Sequence, residues 1–312
     1  MRSTTSRPTS LLTTACPRRW PRWIVASRFS EWPRPDSSPF RWAKPAVPPT
    51  GWFEASAVPN DYAASYERNF GFFKDYSREA LFLDHVFKTY GTDVARVLDI
   101  ACGPGNHIVE LARMGYRAAA ADIDPAMLAR TQGAAAEHGM TIETHVADLR
   151  NFRLSGRFDA ALNMFYSFQN VLFAPHQQLS FFQSVAALLR PGGLFIIELM
   201  PEENNLRLYP PGESFVTHRA VQEDGSTLTV TSTSRIVDET KKDIVFFYET
   251  VLPDGSFEHE ELISPIRRVY LAQFEALCRA AGLVQVAAFG ACDSDVPFTD
   301  DSAKLVAVLE KA

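Results

Sequence analysis

No stretch of the sequence approaches the roughly 18–20 uninterrupted apolar residues of a membrane span, so no helical span is expected. Cysteine is scarce. Cys16, Cys102, Cys278 and Cys292 lie far apart with neither CxxC nor Cys/His spacing, which argues against both a disulfide framework and a structural zinc site. They read as buried thiols of a reducing compartment, the cytoplasm. The seven histidines include no HExxH-type pair, so no dedicated metal site is expected. Tryptophan is missing after Trp52: all five (Trp20, Trp23, Trp32, Trp42, Trp52) fall in the first 52 of 312 residues. A wholly disordered chain is excluded by composition, since 46% of residues are apolar and only 22% charged.

Positive charge is missing from most of the chain. Residues 1–50 carry nine Lys/Arg against Glu31 and Asp36, a net of +7, together with nine of the 20 prolines. Residues 51–312 carry 22 Lys/Arg against 35 Asp/Glu, a net of −13. So acidic a body argues against a nucleic-acid partner, whose phosphates need clustered Lys/Arg. In the tail, prolines remove backbone donors and oppose any long helix or central strand. A transit peptide would need an amphipathic helix, and a secretory signal needs a longer apolar core than Leu11-Leu12-Thr13-Thr14-Ala15-Cys16. Residues 1–51 are expected to be a disordered basic extension, and residues 52–312 one folded domain.

The body begins with helical periodicity over residues 61–90, where Tyr66, Phe70, Phe73, Tyr76, Leu81, Leu83, Val86 and Phe87 form apolar stripes ended by Gly91. Strands and helices then alternate: strands at residues 95–102, 116–123, 141–146, 157–164 and 194–200, helices at 107–115, 125–138 and 176–189. That order predicts an α/β fold with a doubly wound, mostly parallel sheet. Period-two segments at residues 227–236, 243–251 and 258–269, with Asp254-Gly255 as a turn, predict a late antiparallel β insertion over about residues 213–269. A helix at 271–281 and two strands, 283–290 and 303–309, close the chain.

Sheets of this kind bind ligands beyond the carboxyl ends of their strands. There the first strand runs into Asp99-Ile-Ala-Cys-Gly103-Pro-Gly105-Asn-His107, whose glycines allow close backbone approach ahead of a helix N-terminus. A dinucleotide fingerprint would want a third glycine where Ile108 stands, which counts against a nicotinamide enzyme. Asp122 ends the second strand and is placed to accept from a ribose diol, because Asp124, directly before Pro125, is the better helix cap. Asp148 follows the third strand and is placed to accept an adenine amino proton, with Met127 and Leu149 on either side of the ring. Ile123 lies beside Asp122, and Asn163, late in the fourth strand, points to the same edge.

These segments resemble the class I S-adenosylmethionine-dependent methyltransferases. Val97-Leu-Asp-Ile-Ala-Cys-Gly-Pro-Gly-Asn-His107 resembles their first motif, with Ala101 in place of the more frequent first glycine. Ala121-Asp-Ile-Asp-Pro-Ala-Met-Leu128 resembles the ribose-binding segment, His145-Val-Ala-Asp-Leu-Arg-Asn-Phe152 the adenine-contacting segment, and Leu189-Arg-Pro-Gly-Gly-Leu-Phe195 the turn before the fifth strand. The resemblance implies a Rossmann-like fold, S-adenosyl-L-methionine as cofactor, and Asp99 near its ammonium group beside Ala101, Gly103 and Gly105. Tyr66-Glu67, then Lys74-Asp-Tyr-Ser-Arg-Glu-Ala80 and Met164-Phe-Tyr-Ser-Phe168, resemble small-molecule N-methyltransferases of the amino-sugar and antibiotic-tailoring type. Members acting on amino sugars often carry a histidine where this chain has Asn170, which leaves the proton acceptor unassigned.

The resemblance implies methyl transfer to a small-molecule acceptor, an amine nitrogen first, with Tyr66 and Tyr76 lining the lid or orienting the amine. Asn170 is placed to hold the acceptor, since an amide is no base at neutral pH. Phe165, Tyr166 and Phe168 read equally as core packing and as site walls. A hydroxyl or carboxylate acceptor, a non-catalytic cofactor-binding scaffold, and both monomer and homodimer stay open at this point.

Overall fold

The computed structural model describes Tyr66, residues 69–171 and residues 174–312. The expected basic extension, and the first residues of the 61–90 segment, lie outside the described residues. A 3₁₀ turn, Gly71–Phe73, precedes helix α1, Tyr76–Tyr90. Asp75 separates them: its side chain accepts from the Arg78 N–H (3.1 Å), capping α1. The segment of helical periodicity is thus divided at Lys74-Asp75. The chain alternates through β1 (Arg96–Ile100), α2 (Asn106–Arg113), β2 (Arg117–Asp122), α3 (Pro125–Glu137), β3 (Glu143–Val146) and β4 (Phe158–Asn163). It continues through α4 (Ser167–Val171), α5 (Pro175–Leu188), β5 (Leu189–Leu199) and α6 (Glu202–Leu208). The short helices α4 and α6 were not expected from periodicity.

Seven strands form one sheet in the order β10-β11-β5-β4-β1-β2-β3, in which β10 is Leu283–Phe289 and β11 is Leu305–Lys311. All are parallel except β11, which runs antiparallel to both neighbours. Period-two alternation assigns each face. Leu98, Ile100, Phe195, Ile197 and Leu199 pack with Phe181, Phe182 and Val185 of α5 and Phe274 of α7 (Leu271–Ala280). Val97, Leu162, Leu194 and Ile196 pack on the other face with Leu83, Val86 and Phe87 of α1, Ile108 and Leu111 of α2, and Leu128 of α3. Covering both faces explains the nearly continuous apolar strands.

A second, antiparallel sheet has the order β6-β7-β8-β9: Ser214–Val221, Thr227–Ile236, Lys241–Val251 and Phe257–Arg267. Asp254-Gly255 forms the β8–β9 turn, and Gly255 has φ +83° there. Gln169 of α4 ties the two sheets together. Its side chain donates to the carbonyls of Met200 (3.1 Å) and Arg267 (3.0 Å) and accepts from the Met200 N–H (2.6 Å). None of the described helices is long and apolar enough to cross a membrane.

Candidate active site

The strand ends converge as expected. Asp99 pairs in register with Ala120 and Leu162, and Asp122 with Val146, so β1, β2, β3 and β4 deliver their carboxyl ends to one edge. Cys102, just past β1, donates its N–H to the Ala121 carbonyl (3.1 Å), which anchors the loop. Ala101 (φ +59°), Gly103 (φ +56°) and Gly105 (φ +90°) all take left-handed backbone. A Cβ on Gly105 would lie 2.6 Å from Thr131 Cγ2 and Oγ1, so only glycine lets α2 start this close to α3.

Asp122 is buried. Its Oδ2 accepts from the Gly103 N–H (2.8 Å) and its Oδ1 from the Asp124 N–H (3.0 Å), so it shapes the glycine loop and leaves one lone pair per oxygen for a ligand. Burial pushes its carboxyl up, against the pull of the Asp124 and Gly103 N–H groups. Asp124 caps α3 through the Ala126 N–H (2.8 Å), as its position before Pro125 implied. Ile123 is exposed, while Met127 and Leu149 are buried. Asp148 lies in the turn beyond β3, gripped by the Arg150 side chain at 2.6–3.0 Å; these bonds outweigh burial and hold its carboxyl below the usual range.

Asn163 requires a correction. Its side chain donates to the Ile100 carbonyl (2.8 Å) and accepts from the Phe168 N–H (3.1 Å), and it is fully buried. It fastens β1 to α4 beneath the site and presents nothing to a ligand.

Two cavities meet at this edge. A small one, about 20 Å³, is lined by residues including Tyr66, Tyr76, Asp99, Ala101, His107, Phe165 and Ser167. Asp99 is 2% exposed and its Oδ2 has no hydrogen-bond partner among the described residues. Burial pushes its carboxyl up to about 7, with His107 pulling it down and Asp122 pushing it further up. An orphaned carboxylate oxygen in a dry pocket suits a ligand ammonium. Tyr76, at the start of α1, lines this small cavity edge-on to His107, with ring centres 5.0 Å apart.

The larger cavity, about 320 Å³, is walled by Tyr66, Phe70 and Phe73 before α1, by Phe165, Tyr166 and Asn170 around α4, and by Ile244, Phe246, Ser264 and Ile266 of the second sheet. Lys74 and Lys304 are its charged lining among the described residues. The Phe165–Phe168 segment divides: Phe168 is core, whereas Phe165 and Tyr166 face the cavity in left-handed backbone (φ +53° and +62°). Non-glycine residues persist there only where the surroundings hold them. Glu198 of β5 is one such support, accepting from the Phe165 N–H (2.8 Å).

Glu198 belongs to a buried ionic cluster that the sequence reading missed. Lys74 Nζ donates to Glu79 Oε2 (2.8 Å), Glu79 Oε1 (3.0 Å) and Glu198 Oε2 (2.7 Å). His107 Nε2 lies 2.6 Å from Glu79 Oε2, and Cys292 Sγ donates to Glu79 Oε1 (2.8 Å). Burial opposes the Glu198 charge, but the two lysines and the Phe165 N–H outweigh it and hold its carboxyl well below the usual range. Glu79, Glu198 and Cys292 have metal-ligand spacing, yet the Lys74 ammonium already sits on both carboxylates. The one sequence signal was a lone acid in the apolar run Leu194-Phe-Ile-Ile-Glu198.

Residues 97–193 match the methyltransferase domain family. A dTDP-3-amino-3,6-dideoxy-alpha-D-glucopyranose N,N-dimethyltransferase of Streptomyces fradiae is 30% identical over 218 residues, 67% of this chain and 78% of the relative. A dTDP-3-amino-3,4,6-trideoxy-alpha-D-glucopyranose N,N-dimethyltransferase of Streptomyces venezuelae is 27% identical over 214 residues, 67% of this chain and 84% of the relative. Among solved structures, Streptomyces venezuelae DesVI superposes with a TM-score of 0.64 at 22% identity, covering 81% of this chain and all of the other. S-adenosylmethionine-bound CalS10, an amino pentose methyltransferase from Micromonospora echinaspora, gives 0.63 at 20% identity, covering 83% of this chain and all of the other. With the strand order, the glycine loop and the Asp99 pocket in place, this kinship identifies the chain as a member of the S-adenosylmethionine-dependent methyltransferases.

Proposed function

We propose that the enzyme methylates the nitrogen of a small-molecule amine, in the cytoplasm, with the donor's amino-acid end at Asp99 and the acceptor in the 320 Å³ cavity. The observation that carries this reading is the shared wall: Tyr66, Phe165 and Ser167 line both cavities, so donor and acceptor sides adjoin. S-adenosylmethionine supplies an electrophilic methyl group on a sulfonium. The chain's own residues have to orient the acceptor and keep water out. Asp122 and Asp148 are proposed to accept from the cofactor's ribose and adenine, and the left-handed loop of Ala101, Gly103 and Gly105 to let the backbone approach it.

Nitrogen is favoured over oxygen by what lines the acceptor cavity. Among the described lining residues none is a carboxylate or an imidazole, and a hydroxyl acceptor would need such a base. An amine needs only to arrive neutral. Asn170 and Tyr66 then hold the nitrogen by hydrogen bonds. The three free cysteines at described positions, Cys102, Cys278 and Cys292, are buried, in keeping with a reducing compartment.

The test is incubation with labelled S-adenosylmethionine and matched panels of amines and hydroxyl compounds, amino sugars included, followed by product identification. N-methyl products are expected, with a rate that climbs as the acceptor amine deprotonates across about pH 7–9. Label found only on oxygen, or a flat profile over that range, counts against the proposal.

A further inference from the structure

Charge is distributed unevenly around the acceptor cavity. Glu79 and Glu198 stand behind its wall, and Lys74, only 2% exposed, claims both. Lys304 is differently placed. It reaches Glu198 Oε1 at 3.2 Å and Cys292 Sγ at 3.8 Å, and its side chain stays 28% exposed at the cavity surface. An ammonium has three N–H donors, so one is left to give. The cavity also presents the Tyr166 and Ser264 hydroxyls and the Asn170 amide, the Tyr166 hydroxyl interacting with the Lys304 ammonium. The remaining wall is largely ring: Phe70, for example, stands edge-on to both Phe165 and Phe246 at 6.2 and 6.3 Å.

A partly exposed cation ringed by polar groups in a largely aromatic cavity suits a ligand that brings the opposite charge. We infer that the acceptor carries an anionic group, a carboxylate or phosphate, seated against Lys304 beside its amine, with a ring body held between Phe70, Phe165 and Phe246. This rests on the N-methyltransferase reading for the amine, but the anion subsite stands on the Lys304 geometry alone. The small volume, at the low end of the roughly 300–1,000 Å³ of ligand pockets, places the anion close to the reacting nitrogen.

The experiment is calorimetry on the full chain saturated with S-adenosylhomocysteine, using two matched pairs. L-phenylalanine against 2-phenylethylamine tests a carboxylate; glucosamine 6-phosphate against glucosamine tests a phosphate. The member that carries the carboxylate or phosphate should, in at least one pair, bind tenfold or more tightly than the partner that lacks it, the scale of a charge-assisted hydrogen bond. Which pair responds identifies the anion. Lys304→Met should abolish that preference and Lys304→Arg should keep most of it, both with unchanged S-adenosylhomocysteine affinity, which also certifies the fold. No preference in either pair, or a preference that survives Lys304→Met, overturns the inference. Methyl transfer is read separately: Lys304-dependent anion binding without N-methyl product would sink the amine reading and leave the subsite.

Discussion

At the scale of single residues, burial raises the carboxyls of both Asp99 and Asp122, but the two differ in their partners. Asp99 has an orphaned oxygen and a carboxyl raised to about 7, chiefly by desolvation. Between its ordinary value near 4 and about 7 the folded chain therefore holds a proton that the unfolded chain has lost. Stability from this group falls as pH rises through that window and is level above it. An ammonium at Oδ2 stabilises the ionised form and releases that proton. S-adenosylmethionine affinity should accordingly rise from about pH 5 to 7. It should decline above about 8, where an α-amino group loses its charge. Calorimetry across that range checks it, and Asp99→Asn should flatten the acid limb while weakening binding tenfold or more. An acid limb persisting in the variant would remove Asp99 from the role. Asp122 is already spoken for on one side by Gly103 and Asp124. Asp122→Ala should cost both cofactor affinity, about tenfold or more, and melting temperature. Unchanged affinity would remove the ribose assignment.

At the scale of elements, the site depends on how closely segments approach. Gly105→Ala would drive a methyl group into Thr131 at a left-handed position, so a loss of about 1–3 kcal/mol in denaturant unfolding, together with weaker cofactor binding, is expected. Beside the larger cavity, Glu198→Gln can keep an acceptor for the Phe165 N–H but leaves Lys74 to Glu79 alone and removes the carboxylate that Lys304 pairs with. The expected result is a lower kcat with little change in cofactor affinity, and about 1–3 kcal/mol less stability, the scale of losing hydrogen bonds to a charged group. Equal loss of cofactor affinity would show that the cluster does not act through the Phe165–Tyr166 loop.

The same elements mark what sequence could convey. Asp99, Gly103, Gly105, Asp122 and Asp148 sit at strand ends fixed by local periodicity, so their convergence was legible from spacing. Asn163 was placed on the right edge, but its orientation depends on a bond to Phe168 in a helix too short to show a period. The Asp75 cap that starts α1 is a signal present in the sequence and outweighed by the apolar stripes around it. The Lys74–Glu198 pair spans 124 positions, and no local pattern encodes such a partnership.

At the scale of the whole molecule, the chain's net charge of −6 is the sum of +7 in residues 1–50 and −13 in residues 51–312. The seven-stranded sheet is complete from β1 to β11, both of its faces are covered by described helices, and the second sheet is joined to it by Gln169. The described lining of both cavities starts at Tyr66. A protein beginning at residue 52 should therefore fold with the same melting temperature within a few degrees and bind S-adenosylmethionine with unchanged affinity. Its more acidic surface should show in one way: once the +7 segment is gone, an anionic acceptor's association should be slowest at low salt and quicken as salt screens the −13 body. Loss of folding or cofactor binding in the shortened protein would instead make residues 1–51 part of the domain, and the boundary at residue 52 would be wrong.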